Sequence, residues 1–341
     1  MARTAAKNAD PKNYYGLLEV SPRARASIIN SAYRTLAKET HPDSPGGDLA
    51  RFRAITAAYD VLSNADKRAE YDTGLRPGVG TVIGNYEVES VIAEGGFGTT
   101  YKGRHVITEE PVCIKHCSEV SVMHDAVLIA EAKSIWDMRH YALPAMRDMQ
   151  RLEDNSLALI MSYIPGPTLE QVVEKAGKLE PEDVAWITDR ILNVLLYLHH
   201  HGIVHGDLKP QNVIVQPDQH SLVLVDFGLT LVKPTSSTKS MGYTPYFAPP
   251  EQIDGNTLLP ASDFYSLGMI MIYTLSGGDM KAVEKLKVPT TAPDALCSFI
   301  KRLIVKDVLA RPQGDLWEEF REVRKKAFGR DRSGMKPIAG L

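Results

Sequence analysis

The sequence predicts an α+β chain in two parts, a small all-α segment at the N-terminus and a larger part that begins in strands and continues mainly in helices. Three observations carry that reading. Apolar residues recur at steps of three or four between Ile29 and Leu62. A stretch rich in glycine and proline, TGLRPGVGT, interrupts the pattern from Thr73 to Thr81. Strand-like runs, NYEVESVI and PVCIK, then precede a long helical pattern that starts at Pro181. At 341 residues the chain exceeds one typical domain, and 44% apolar with 24% charged residues is the composition of a folded protein. The formal net charge of −3 gives no global signal for nucleic acid or an anionic membrane.

Within the N-terminal segment, Ile29, Tyr33 and Leu36 form one stripe and Phe52, Ile55, Tyr59 and Leu62 another. Two amphipathic helices with facing stripes should pack as an antiparallel hairpin. Between them ETHPDSPGGD cannot continue a helix, so His41, Pro42 and Asp43 are expected at an exposed turn. A short helix at Tyr14 to Leu18 closes the core. On NYYGLLEVS, AYRTLAKETHPD and RFRAITAAYDVLSNADKRAEYD, residues 13–73 resemble a J-domain (DnaJ-like), the helical module that stimulates the ATPase of DnaK-class heat-shock chaperones. The resemblance implies that His41, Pro42 and Asp43 form the chaperone contact. One departure is the second helix, usually strongly basic in this family, which offers only Arg34 and Lys38 between Ser27 and Thr40.

Residues 74–84 read as a linker. AEGGFGTTYKG then forms a glycine-rich turn between two strands, where Gly95, Gly96 and Gly98 let backbone N–H groups approach a phosphate. Such a hairpin alone is more often only a turn. Lys115 ends the β-branched strand PVCIK, and Glu131 lies on a helical stretch from Val122 to Arg139. As an ion pair they would aim the ammonium at phosphate oxygens.

Gly202 ends the helix that begins at Pro181, so GIVHGDLKPQN is a loop carrying Asp207, Lys209 and Asn212. Val213-Ile214-Val215 and Leu222 to Val225 read as an antiparallel hairpin, followed by Asp226-Phe227-Gly228. Residues entering the first strand and leaving the second share the open end of that hairpin. Asn212 and Asp226 should therefore be neighbours, and an amide and a carboxylate oxygen suit Mg2+ that takes its other ligands from phosphates and water. A carboxylate beside such a site, Asp207, suits phosphoryl transfer, in which it orients a substrate hydroxyl and accepts its proton.

With those residues in view, 85–328 resembles a eukaryotic-type protein kinase domain, a two-lobed fold with a β-rich N-lobe and a mainly α C-lobe, and DLKPQN resembles its serine/threonine branch. The resemblance implies ATP and Mg2+ as cofactors. It makes Asp207, Lys209, Lys115 and Glu131 the catalytic set, Asn212 and Asp226 the metal ligands, and Ala93, Glu94, Gly95, Gly96, Phe97, Gly98 and Lys115 nucleotide contacts. Met161, Ser162, Tyr163 and Ile164 become the hinge that receives adenine. Glu251 and Arg311 would form a structural ion pair and Asp263 would brace the catalytic loop. Ala93 replaces the first glycine of the loop, and Thr100 the valine that covers adenine. Gly206 stands where kinases switched on by loop phosphorylation carry arginine, so activity independent of loop phosphorylation is expected, and Thr235, Ser236, Ser237, Thr238 and Ser240 read as a solvated polar run.

The expectation is a J-domain fused to a serine/threonine kinase, with a DnaK-class chaperone and a protein hydroxyl as partners and no membrane or nucleic acid. The alternative is a J-domain co-chaperone whose kinase-like half is a non-catalytic scaffold. Cys113, Cys117 and Cys297 suggest a reducing compartment, and the lack of a signal-like or membrane-length apolar run suggests a cytoplasmic protein. His199, His200 and His201, at a helix end, read as dipole partners rather than metal ligands. Residues 329–341 read as a disordered basic tail.

Overall fold

In a computed structural model of the chain, the structure describes residues 14–20, 24–42, 44, 47–74, 77–95, 98–117, 122–152, 155–216, 219–240 and 242–331. The chain divides into two compact units, Met1–Ile129 with Arg147–Met161, and Ala130–Met146 with Ser162–Leu341.

The first unit opens with α1 (Tyr14–Leu17), α2 (Ala26–Thr40), α3 (Leu49–Leu62) and α4 (Ala65–Gly74). The two stripes seen in the sequence meet: Ile29 and Leu36 of α2 and Ile55, Ala58 and Leu62 of α3 are buried together with Tyr15 and Leu18. Polar groups at the edge of this small core are satisfied rather than excluded. The Tyr15 hydroxyl donates to Asp72 Oδ1 at 2.7 Å and accepts from Arg68 Nε at 2.8 Å, tying α1 to α4. Burial and the Asp72 contact together push the Tyr15 hydroxyl well above its ordinary pKa. Tyr33 and Tyr59 stack at 4.0 Å across α2 and α3. Asp48 caps α3 by accepting from the N–H groups of Ala50 and Arg51. His41 and Pro42 are exposed between the helices, with His41 edge-on to Phe52; Asp43 lies outside the described residues.

The rest of this unit is a six-stranded sheet in the order β1-β2-β3-β4-β6-β5. Its strands are β1 (Val82–Ile83), β2 (Tyr86–Gly95), β3 (Gly98–His105), β4 (Pro111–Cys117), β5 (Met146–Arg151) and β6 (Leu157–Ser162). The structure differs here from the expected linker over 74–84. α4 reaches Gly74, Val82 and Ile83 pair antiparallel with Glu87 and Tyr86, and Thr81 accepts a backbone bond from Val88. The β-branched Val82 and Ile83 favour that extension, and Ile83 joins the sheet core with Tyr86, Val88, Tyr101, Val112, Ile114, Ala158 and Ile160.

The second unit is mainly helical. It takes in the end of α5 (Val122–Ile135), which stops short of the expected Arg139, then α6 (Leu169–Ala176), α7 (Pro181–His200), α8 (Pro250–Ile253) and α9 (Pro260–Ser276). α10 (Met280–Glu284), α11 (Asp294–Leu303) and α12 (Leu316–Phe328) complete it. α9 is buried along its whole length from Ala261 to Leu275 and forms the axis of the unit. Two short antiparallel pairs sit among the helices. β7 (Ile203–Val204) pairs with β10 (Leu231–Val232), and β8 (Val213–Gln216) pairs with β9 (Ser221–Leu224). Each pair contributes one strand to either end of two loops, 205–212 and 225–230, and so holds both loops at fixed positions. At the C-terminal end, Asp331 accepts from Arg321 at 2.9 Å and Arg330 bonds Glu182, so the segment expected to be disordered starts with ordered ion pairs; 332–341 lies outside the described residues. Among the described residues no helix is long and apolar enough to cross a membrane.

Candidate active site

The loop after β7 is fixed by one buried carboxylate. Asp263, at the start of α9 and 1% exposed, accepts from the backbone N–H of His205 (Oδ2, 2.9 Å) and of Gly206 (Oδ1, 2.9 Å). His199 Nε2 lies 2.8 Å from Asp263 Oδ2. Burial alone would raise the Asp263 pKa, but the bond and charge of His199, the nearby His205 and the Gly206 N–H outweigh it and hold the carboxyl below its ordinary value. The adjacent His205 imidazole is driven the other way, its pKa lowered by burial against the raising influence of Asp263, Asp207 and Asp226. The Asp207 N–H donates to His205 Nδ1 at 3.2 Å.

On that base Asp207 is held by three residues. Its Oδ2 accepts from Lys209 Nζ at 2.7 Å and from Asn212 Nδ2 at 3.1 Å, and its carbonyl oxygen also accepts from Asn212 Nδ2, at 2.9 Å. Its Oδ1 accepts from Thr244 Oγ1 at 2.6 Å, and Thr244 in turn accepts from Lys209 Nζ at 3.0 Å. The carboxylate cannot rotate without breaking one of these bonds. Asp207 is 8% exposed, an oriented acceptor rather than a solvated acid.

The hairpin argument for Asn212 and Asp226 can be checked against register. Val213 pairs with Leu224, and Val225 N donates to Asn212 O at 2.9 Å, which places Asp226 one residue beyond the backbone partner of Asn212. Asp226 occupies the left-handed region with φ of 65°, a conformation the neighbouring turn imposes on a non-glycine residue. Phe227 is buried against the His205 ring at 5.0 Å, and its N–H donates to Glu131 Oε1 at 3.3 Å. Glu131 thus reaches the Asp226-Phe227-Gly228 turn through a contact the sequence did not suggest.

Glu251 and Arg311 meet in a bidentate pair at 2.7 and 2.8 Å. Arg311 is 2% exposed and spends its other donors on the carbonyls of Val305, Lys306 and Ala261. The pair ties the start of α8 to the loop before α12.

In the first unit, β2 and β3 close at the Gly95 to Gly98 pair, with Ala93 opposite Thr100 and Glu94 opposite Thr99. Gly98 has φ of 139°, and a Cβ there would sit 2.1 Å from the carbonyl oxygen of His116, so only glycine fits. Gly96 and Phe97 lie outside the described residues. Lys115 stands on β4 opposite Thr100 of β3. Met161 is buried near the end of β6, and Ser162 exchanges backbone and side-chain bonds with Ala145; Tyr163 and Ile164 follow, partly buried.

Three residues that sequence reasoning did not assign to the site belong to it. Thr244 and Gln252 reach Asp207 and Gly206 from 37 and 46 residues away. His199, in the last turn of α7, reaches Asp263 over 64 residues, a contact beyond its place at the helix end.

The structure thus holds an oriented carboxylate with a lysine and an amide around it, a second carboxylate in the turn that follows the adjoining hairpin, and a buried aspartate bracing the loop. Comparison with known proteins agrees. The model of the protein kinase domain matches residues 86–285 and that of the DnaJ domain residues 13–72. The chain belongs to the protein kinase family and carries a DnaJ domain ahead of the kinase domain. Over 213 residues, 58% of the chain, it is 30% identical to serine/threonine-protein kinase pkn3 of Myxococcus xanthus. Over 224 residues, 64% of the chain, it is 31% identical to serine/threonine-protein kinase PknL of Mycobacterium tuberculosis. It is also 27% identical over 203 residues, 58% of the chain, to serine/threonine-protein kinase PrkC of Bacillus subtilis. The matched stretches span 38%, 53% and 31% of those three relatives, well under two thirds of each.

The depressed pKa of Asp263 gives a stability prediction with a definite sign. A carboxyl whose folded pKa lies below its unfolded value of roughly 4 stabilises the fold above that value, and the contribution is lost as pH falls toward and through the folded pKa. In denaturant unfolding, Asp263→Asn should be less stable than wild type at neutral pH, and the gap should narrow as the pH is lowered toward 3.

Proposed function

We propose that this chain transfers the γ-phosphoryl group of ATP to serine or threonine hydroxyls of a protein, and that its DnaJ domain recruits or stimulates a DnaK-class heat-shock chaperone. The observation that carries the kinase reading is the fixation of the Asp207 carboxylate by three residues, Lys209, Asn212 and Thr244. A non-catalytic scaffold has no need to orient that carboxylate. In this reading Asp207 positions the substrate hydroxyl and takes its proton, while Lys209 and Thr244 keep the accepting oxygens in place.

The donor set also fits Mg2+. Asn212 commits its amide nitrogen to Asp207, which turns its carbonyl oxygen to other use, and Asp226 supplies a carboxylate from the adjoining turn. Bound there, Mg2+ would neutralise charge on the transferred phosphate. Lys115, Glu131, the Ala93 to Gly98 loop and the Met161 to Ile164 segment complete the nucleotide site in this proposal. Ala93 and Thr100 are expected to weaken ATP affinity modestly relative to glycine and valine.

The chaperone half rests on His41 and Pro42, which are exposed at the turn between α2 and α3. The only basic side chains of α2 are Arg34 and Lys38, so long-range electrostatic attraction to an acidic partner is small.

Two outcomes are expected. Purified protein with Mg2+ and γ-labelled ATP should phosphorylate a generic protein substrate, and Asp207→Asn should lower the rate by about 10²-fold or more; equal rates, or no transfer by folded wild type, would return the scaffold reading. In a chaperone ATPase assay the full chain should stimulate turnover, His41→Gln should abolish the stimulation, and it should weaken little between low and physiological salt. Steep loss with salt would contradict the charge argument.

A further inference from the structure

Gly206 and Gln252 raise a question about how the segment between Phe227 and Glu251 is kept in place. Loop-phosphorylated kinases order it by pairing a phosphate with an arginine next to the catalytic aspartate. That position is Gly206, with φ of 73°, and a Cβ there would lie 2.7 Å from the Leu229 carbonyl oxygen and 3.1 Å from Leu258 Cδ1. The backbone excludes arginine and any other side chain.

A neutral group occupies the linking role. Gln252, 2% exposed on the short α8, points its Nε2 at two main-chain oxygens, donating to Gly206 O at 2.7 Å and to Gly242 O at 2.9 Å. An amide nitrogen has two hydrogens, and both are used. The two chains it joins converge at the proposed catalytic base. Gly206 immediately precedes Asp207, and Gly242 lies two residues before Thr244, whose hydroxyl donates to Asp207 Oδ1 at 2.6 Å. A second neutral bridge stands nearby: the Thr257 hydroxyl, with its single proton, is shared between the carbonyl oxygens of Thr235, at 2.7 Å, and Thr238.

We propose that Gln252 is a positioning residue that holds the 242–244 segment against the catalytic loop in place of a phosphate–arginine contact, so that the unphosphorylated chain is already in its working arrangement. The proposal deepens the kinase reading and rests on it for its kinetic arm. Since a side-chain amide carries no charge and does not titrate near neutrality, the tether responds to neither phosphatase nor salt. Its loss removes the Gln252 donor from one buried and one part-buried carbonyl and frees Thr244 from Asp207.

The test compares wild type, Gln252→Met and Gln252→Asn in the full chain. Methionine keeps the length and removes both donors; asparagine keeps the amide but is one methylene too short to reach both oxygens. Gln252→Met should lower kcat for protein phosphorylation by about 10- to 100-fold with the KM for ATP within about twofold, because the tether fixes the hydroxyl-accepting side of the site. Gln252→Asn should fall between, and phosphatase treatment of wild type should leave kcat within about twofold. Amide exchange supplies a readout independent of activity: the N–H groups of Asp207 and Ala248, bonded to His205 Nδ1 and to Thr244 O, should exchange faster in Gln252→Met, with α12 unchanged. Unchanged kcat and unchanged exchange in the methionine variant, or a wild type that loses its rate to phosphatase, overturns the proposal. If wild type transfers no phosphate, the kinase reading fails while the exchange comparison still decides whether Gln252 holds the segment. If the methionine variant does not fold, the asparagine variant carries the same comparison.

Discussion

A single buried carboxylate organises the second unit. Asp263 sits at the start of a helix buried along its length, and its two oxygens hold consecutive backbone N–H groups of the loop that carries Asp207. A charge in that position is stable only when fully hydrogen-bonded, which His199 completes. The demand runs both ways: the carboxylate needs the loop in one conformation, and the loop has few other partners for those N–H groups. Fixing His205 and Gly206 fixes the direction in which Asp207 leaves the chain.

From there the site grows outward by contacts that share atoms. Lys209 bonds both Asp207 and Thr244, Asn212 bonds two oxygens of Asp207, and Gln252 bonds the residue before Asp207 and the segment that brings Thr244. Networks of this kind are stiff, since moving any member breaks more than one bond. The β7–β10 and β8–β9 pairs add the scaffold, and the Arg311–Glu251 pair fixes the root of α8 from which Gln252 projects. In this account, preorganisation comes from neutral amides and a buried acid.

The division between what the sequence revealed and what it concealed follows sequence separation. Asp207, Lys209 and Asn212 fall in one short run, and Asp226 could be placed beside Asn212 because a hairpin forces its two ends together. The helical hairpin was legible because the periodic stripes of α2 and α3 must face each other to be buried. Thr244, Gln252 and His199 were not legible, because an isolated threonine, glutamine or histidine has no periodicity and its partner lies tens of residues away. The short β1 was hidden by the glycines and proline before it, whose turn chemistry masked a two-residue strand completed only by pairing with β2. Gly206 was noticed as a missing arginine; the positive φ that makes arginine impossible there is visible only in the folded backbone.

The most direct measurement of the central claim is the single-turnover rate of phosphoryl transfer in Asp263→Asn at neutral pH, with ATP affinity and folding measured on the same sample. Asparagine keeps the shape but sets an NH2 donor against one of the two backbone N–H groups, so the catalytic loop must shift. The account predicts a rate about 10²-fold lower with ATP affinity nearly unchanged. A folded variant that transfers phosphate within about twofold of wild type would show that the loop keeps Asp207 in place without its buried acid, and would contradict the account.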